Sequence, residues 1–257
     1  MRLLLPLLLL GCAREDEPPD DLAEPVVWLL ANFDERDDEL DPHLIDLADY
    51  ALGLDPAAGW EQRAFAPAPL ERSHVADLAG PPFAEDQATL AVIGRSEQAL
   101  DAHRRSVEVP DRRCVDAPTA ASWLRTVEFG GGCFAAGACD ELWARDALEG
   151  DDLPSALVQR FRVLQLSDDR DVLLGRAVLP GDATPTRTTH LYALAVWVSD
   201  PEDPRLTWRI DATWQVGAPT SPREDWHAAT GASLDAAHAA ADAYLAQSPP
   251  PDCSATD

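Results

Sequence analysis

The residues able to carry chemistry are abundant in one class and sparse in the others. Forty-six carboxylates are spread along 257 residues, against six histidines and five cysteines. A catalytic Asp/Glu pair needs two carboxyl groups facing each other across a cleft, and among so many acids the sequence neither excludes such a pair nor locates it. His43, His74, His103, His190, His227 and His238 stand at no metal-ligand spacing to one another or to a cysteine, so no zinc site is expected. The acidic runs 34–41, 168–171 and 200–203 lack the alternating ligands, sixth-position glycine and twelfth-position glutamate of an EF-hand loop. No G-x-S-x-G, H-E-x-x-H, C-x-x-C, P-loop or dinucleotide fingerprint occurs. Catalytic and metal residues are therefore assigned to no position, and no cofactor is expected. The 20 basic residues are all arginine, and the net charge of -26 repels nucleic acid and anionic head groups, which argues against a phosphate-backbone partner.

The amino terminus is the most specific stretch. Met1-Arg2 is a minimal positive start, and residues 3–10 form an apolar run interrupted only by Pro6. The run is too short to span a bilayer as a helix and reads as the apolar part of an export signal. It ends in Leu9-Leu10-Gly11-Cys12, which resembles the lipobox of bacterial lipoproteins. That resemblance covers a dozen residues. It implies that the Cys12 thiol takes a diacylglyceryl group, that the chain is cut after Gly11, and that the new amino terminus is acylated. Several acyl chains anchor stably where one gives marginal binding, so Cys12 would be a permanent membrane anchor. Ala13, rather than Asp, follows the cysteine. In enteric-type sorting this implies the outer membrane of the cell envelope, with leaflet and side left open. Residues 14–24 carry six carboxylates and two prolines with little to bury, and read as an extended, self-repelling tether.

With Cys12 lipidated, four cysteines remain, an even number in an oxidising compartment, and three connectivities are open. Cys133 and Cys139 lie close enough to bridge a glycine-interrupted turn. Cys114 then pairs with Cys253, tying the tail to the start of the second half.

The elements that must position any site are organised around residues 205–216. Leu206, Trp208, Ile210, Ala212, Trp214 and Val216 alternate without exception with Arg205, Thr207, Arg209, Asp211, Thr213 and Gln215. This period is that of a half-buried strand, with the apolar side on a core and the polar side in water. Upstream, residues 122–129, 157–166, 172–179 and 190–198 are predicted as strands, the last apolar on both sides and hence central. Residues 140–149 fit either a strand or two helical turns. A short strand at 89–93 and a helix from Ser96 to about Arg105 are expected earlier. Residues 25–33 form a helix, and a second runs to Gly53 with Asp41 as N-cap and Pro42 in first position. The closing helix, 222–246, opens on Ser221, Pro222 and Glu224, a capping-box signature. Its stripe of Trp226, Leu234, Ala237 and Ala241 is expected to cover the tryptophan face of the organising strand.

The predicted fold is α+β: an antiparallel meander covered by a long C-terminal helix, with an N-terminal helical region. The expected division is 1–11 signal peptide, 12–24 acidic tether, 25–110 helical and irregular region, and 111–257 sheet plus helix. In element order the fold resembles helix-grip proteins of the START type, which often enclose an apolar ligand. The mature chain as a whole resembles hypothetical lipoproteins of high-GC bacteria, which implies no activity. Trp208, Trp214 and His238 are the candidate lining of a pocket beneath the closing helix. His238 has a second reading as a hydrogen-bonded core histidine, and the tryptophans as ordinary sheet core. The function expected is a non-catalytic, membrane-anchored envelope lipoprotein that binds an envelope protein or an apolar small molecule, or scaffolds an assembly. An envelope hydrolase using a carboxylate pair is the alternative. The lipobox makes a direct prediction: Cys12→Ser leaves an unprocessed or soluble precursor, visible by mass and detergent partitioning. Normal processing of that variant would refute the anchor.

Overall fold

The computed structural model describes residues 22–54, 63–78, 87–115, 122–149, 156–179, 188–217, 223–247 and 253. The expected signal peptide, Cys12, the expected tether up to residue 21 and the Ser221-Pro222 part of the expected capping box lie outside the described residues. Two helices come first, α1 (Ala23–Ala31) and α2 (Asp37–Leu52). Short strand β1 (Arg63–Phe65) precedes β2 (Gln87–Ser96) and helix α3 (Leu100–Ser106). A meander follows: β3 (Ser122–Phe129), β4 (Glu141–Glu149), β5 (Ala156–Gln165), β6 (Asp171–Val178), β7 (Thr188–Ser199) and β8 (Thr207–Gly217). Helix α4 (Arg223–Leu245) closes the chain. The eight described strands form one antiparallel sheet in the order β1-β2-β8-β7-β6-β5-β4-β3. The architecture is thus α+β with a long C-terminal helix on an antiparallel sheet.

The expected division at residue 110 separates nothing. β2 pairs along its whole length with β8, from Gln87 opposite Val216 to Ser96 opposite Thr207. The N-terminal region therefore supplies two strands of the sheet. Residues 140–149, ambiguous by pattern, are strand β4. Helix α2 starts one turn before the predicted cap, with Asp37, Asp38 and Glu39 in its first turn and Pro42 inside. Those acids suit the positive end of the helix dipole. Asp41, freed from capping, accepts hydrogen bonds from the Ser167 backbone N–H (2.8 Å) and hydroxyl (2.7 Å) in the β5–β6 turn. Ser96 ends β2 rather than capping a helix, and α3 begins at Leu100.

The largest correction concerns which helix covers the tryptophans. Trp208, Ile210, Ala212 and Trp214 belong to one apolar cluster with Leu194, Val196 and Ile93 of the sheet. The same cluster contains Val26, Leu29 and Leu30 of α1 and Leu40, Leu44 and Leu47 of α2. The N-terminal helices, not α4, bury that face. Trp214 is fully buried, and its indole N–H donates to the Ala68 carbonyl at 3.0 Å. Arginines at the end of this layer fasten the helices: Arg162 donates to the Phe33 and Glu35 carbonyls and to Asp37 at 2.5–2.7 Å, and Arg176 pairs with Asp34 at 2.8 Å.

Helix α4 lies on the opposite face, over the polar positions of β8. Trp226 donates to the Gln215 side chain at 2.5 Å, and His238 Nε2 stands 2.6 Å from Asp211 Oδ2. The alternation of β8 was correctly a strand signal; its polar side is roofed by a helix that supplies polar partners. The Cys114–Cys253 and Cys133–Cys139 disulfides are both present, as the spacing suggested. The first fixes the tail beside the end of α4, where Cys253 clusters with Val115, Ala241 and Tyr244. Closing so long a loop contributes about 2–4 kcal/mol.

A two-sided strand has a measurable signature. Trp214→Ala should cost about 3–5 kcal/mol as a large buried aromatic. Thr213→Asp, one residue away, sets a second carboxylate beside Asp211 under α4 and should cost several kcal/mol as well. Thermal unfolding of the two variants decides the matter: a silent Thr213→Asp would mean that the α4 side of the strand is open to water.

Candidate functional site: a cavity beneath the C-terminal helix

The site arises where two layers both present small side chains. In the middle of the sheet, Gly175 and Ala177 of β6 lie beside Ala193 and Ala195 of β7, and α4 faces them with Ala237 and Ala241. Helix and sheet cannot fill the gap between such residues, and a cavity of about 280 Å³ remains. That is at the small end of the range for small-molecule sites, roughly 300–1,000 Å³. Phe161 and Trp197 form an aromatic wall with ring centroids 6.5 Å apart. Gly175 makes their position feasible, since a Cβ there would lie 3.0 Å from the Phe161 ring and 3.2 Å from Trp197. Leu234 completes the apolar lining from the helix side.

The polar residues of the lining, with the partners behind them, fall into three groups. Arg125 of β3 and Asp146 of β4 are cross-strand partners and fully desolvated. The guanidinium binds both carboxylate oxygens at 2.7 Å, and Gln159 donates to the same carboxylate at 2.6 Å. This fork-to-fork pair is satisfied and fixes one wall. A second network joins three elements: Ser96 donates to Asp242 of α4 at 2.6 Å, and His103 Nε2 of α3 lies 2.9 Å from the Ser96 hydroxyl. Serine, histidine and aspartate meet here in the wrong order for a nucleophile. The acid holds the hydroxyl itself rather than the far side of the imidazole, and Ser96 is fully buried. Burial, with the nearby Arg209 and His238 charges, pushes the His103 pKa down to about 3, while burial raises that of Asp242.

The third group is on β8, where Arg209, Asp211 and Thr213 project side by side into the cavity. Burial drives the Asp211 pKa upward, but His238 at 2.6 Å, with Arg209 and His103, outweighs it and holds the carboxyl below its usual range. Arg209 lies over Trp197, with 5.7 Å from guanidinium carbon to ring centroid. Of the predicted lining residues, the structure brings His238 into the cavity and places Trp208 and Trp214 on the other side of the sheet. Sequence reasoning missed Arg209, Trp197 and Phe161. A signal was present in the consecutive small residues Gly175, Ala177, Ala193 and Ala195, which register opposite one another only once the strands are paired. Among the described residues no group of three or more His, Cys, Asp or Glu side chains could hold a metal ion.

No protein family matches this chain, and no curated protein does. Among solved structures it is similar to a STAR-related lipid transfer protein from Xanthomonas axonopodis, with TM-score 0.40 and 14% identity over 62% of this chain and 86% of that one. It is also similar to the lipid transfer and protein localization domain of human StarD13, with TM-score 0.39 and 12% identity over 62% and 77% of the two chains. A third is the protein XoxI from Bacillus cereus, with TM-score 0.37 and 9% identity over 62% and 95%.

The buried imidazole supplies a test of the polar network. His103 stays neutral in the fold down to about pH 3, whereas in the unfolded chain it takes a proton near pH 6.5. Its contribution is thus complete above pH 6.5 and is lost as pH falls from there towards 3, at up to about 1.4 kcal/mol per unit. Between pH 7 and pH 5 the wild type should lose about 2 kcal/mol more unfolding free energy than His103→Gln. Urea titrations at the two pH values measure the difference, and equal losses would show that His103 is protonated freely in the fold.

Proposed function

We propose that this protein is an envelope lipoprotein whose domain binds a small, largely apolar molecule in the cavity between α4 and the sheet. The observation that carries the reading is the cavity itself: about 280 Å³, walled by Phe161, Trp197 and Leu234, at a place where alanine and glycine on both layers leave space. A scaffold protein would gain from filling that space, because interiors are close-packed and each unfilled volume forfeits contacts. An apolar ligand recovers them. A small molecule fits this position better than a protein partner, since the apolar wall lies beneath α4. Binding is favoured over hydrolysis because Asp146 and Asp211 are each held by a partner of their own, Arg125 and His238. Neither is paired with another carboxylate.

The location belongs to the same proposal. The apolar run before Cys12, the lipobox resemblance and the acidic stretch after it support a lipid anchor, and Ala13 supports the outer membrane. A tethered binding domain there would meet apolar molecules in or near the bilayer.

Cavity filling tests the binding reading without knowledge of the natural ligand. A panel of short aliphatic and aromatic molecules should raise the melting temperature of the wild type, since a ligand that binds only the folded state stabilises it in proportion to the logarithm of its concentration over Kd. Ala237→Phe should abolish the shift while leaving the protein folded. If no member of the panel moves the wild-type melting temperature, or if Ala237→Phe responds as the wild type does, the cavity is not a binding site.

A further inference from the structure

Six arginines are buried among the described residues: Arg104, Arg112, Arg125, Arg170, Arg176 and Arg209. Five of them have acceptors. Arg125 holds Asp146, Arg176 holds Asp34, Arg170 holds Asp49 and Asp168, Arg104 donates to the Phe134 carbonyl, and Arg112 to that of Ser106. Arg209 is the exception. It is 8% exposed, and its Nε and Nη1 are buried with no hydrogen-bond partner. It lies over the face of Trp197, a contact that attracts the charge but accepts no N–H.

The neighbouring acids, Asp211 and Asp242, feel its charge but accept no hydrogen bond from it among the described residues. Asp211, two residues along on the same side of β8, stands against His238 at 2.6 Å, and no carboxylate is paired with Arg209 among the described residues. A guanidinium keeps its charge at any pH the fold tolerates and offers five donors in a rigid plane matched to an oxyanion. An unpaired one is costly in a protein interior, and here it faces a cavity rather than packed side chains.

We propose that Arg209 is the anion-binding residue of this cavity, and that the ligand carries a single oxyanion head, a carboxylate or a phosphate monoester, on a short apolar body. The inference deepens the binding reading above and rests on it. The head accepts two N–H bonds from Arg209, and the body lies against Phe161, Trp197 and Leu234. A cavity of about 280 Å³ limits that body to a short chain or a single ring system.

Three probes with one chain length separate the possibilities: octanoate, octyl phosphate and octanol, titrated calorimetrically into wild type and Arg209→Met. At least one of the two anions should bind the wild type about ten- to a hundredfold tighter than octanol, the range expected for charge-assisted hydrogen bonds. Which anion binds tighter identifies the head. Arg209→Met should bring both anions to the level of octanol, leave octanol binding in place, and melt no lower than the wild type when empty, because a buried charge without a partner has been removed. Equal affinity of the wild type for octanol and for both anions overturns the role of Arg209 while the binding reading stands. Binding of none of the three overturns both. A large fall in the melting temperature of empty Arg209→Met would show that Arg209 is already partnered in the fold, and would also overturn the inference. The wild-type comparison requires no variant to fold.

Discussion

Both faces of β8 are covered, and the two faces are covered differently. Its even-numbered residues, Trp208 to Trp214, sit in an apolar layer with α1 and α2, and its odd-numbered ones, Arg209 to Gln215, lie under α4. It is hydrogen-bonded on both edges, to β2 and β7, so no side of it is spare. The consequence is a division of labour between two faces separated by one backbone. The tryptophan face is closed by α1 and α2 and belongs to the largest apolar cluster among the described residues. The other face keeps charged groups and unfilled volume, which an isolated layer could not maintain. Because side chains alternate strictly along a strand, a register slip of one residue would exchange the two sets and place Arg209 and Asp211 among leucines. The long apolar face prevents that.

The two helical covers differ for reasons present in their composition. α2 buries Leu40, Leu44, Leu47, Ala48 and Ala51 along one stripe and can seal an aromatic layer. α4 is rich in alanine and presents histidine and aspartate among them. Such a helix approaches closely but fills poorly, so it is held by discrete bonds: Trp226 to Gln215, His238 to Asp211, and Asp242 to Ser96. The Cys114–Cys253 bridge adds a covalent tie near its far end. Helix α4 is thus the less cohesive of the two covers, and the cavity lies under it.

Five strands of the meander and the two disulfide pairs were legible in the sequence, while residues 140–149 fitted strand and helix alike until paired as β4. Period-two alternation is a local property, and four cysteines leave few arrangements. What was not legible is which helix meets which face. Arg209, Asp211, Thr213 and Gln215 read as solvent-facing, because polarity is a good guide to exposure only when no polar cover is available. Here α4 brings its own polar groups, and the alternation carries no record of them. The cavity was hidden for a related reason. Gly175, Ala177, Ala193 and Ala195 are unremarkable along the chain, and their smallness becomes a feature only through the β6–β7 register, where Gly175 meets Ala195 and Ala177 meets Ala193. Of the three residues predicted to line it, His238 was found because its helical position could be read without knowing the partner strand.

The charge of the whole molecule sharpens the contrast between Arg209 and its surroundings. At -26 the chain presents a field that opposes the approach of any anion. Outside, at physiological ionic strength, that field is screened within about 8 Å. At the cavity wall Arg209 is nearly buried and lies over the Trp197 ring, and a guanidinium there acts over short distances with less screening than at the surface. The other buried arginines among the described residues donate to the protein's own acids or carbonyls, as Arg125 does to Asp146. In a chain with 46 acids, a buried arginine whose Nε and Nη1 have no acceptor among the described residues is the less expected arrangement. The shortage lies not in acids but in their placement: Asp211, the one acid beside it on the same strand face, is held 2.6 Å from His238. With Asp211 beside that histidine on α4, the proposed anion is the acceptor left for the Nε and Nη1 of Arg209.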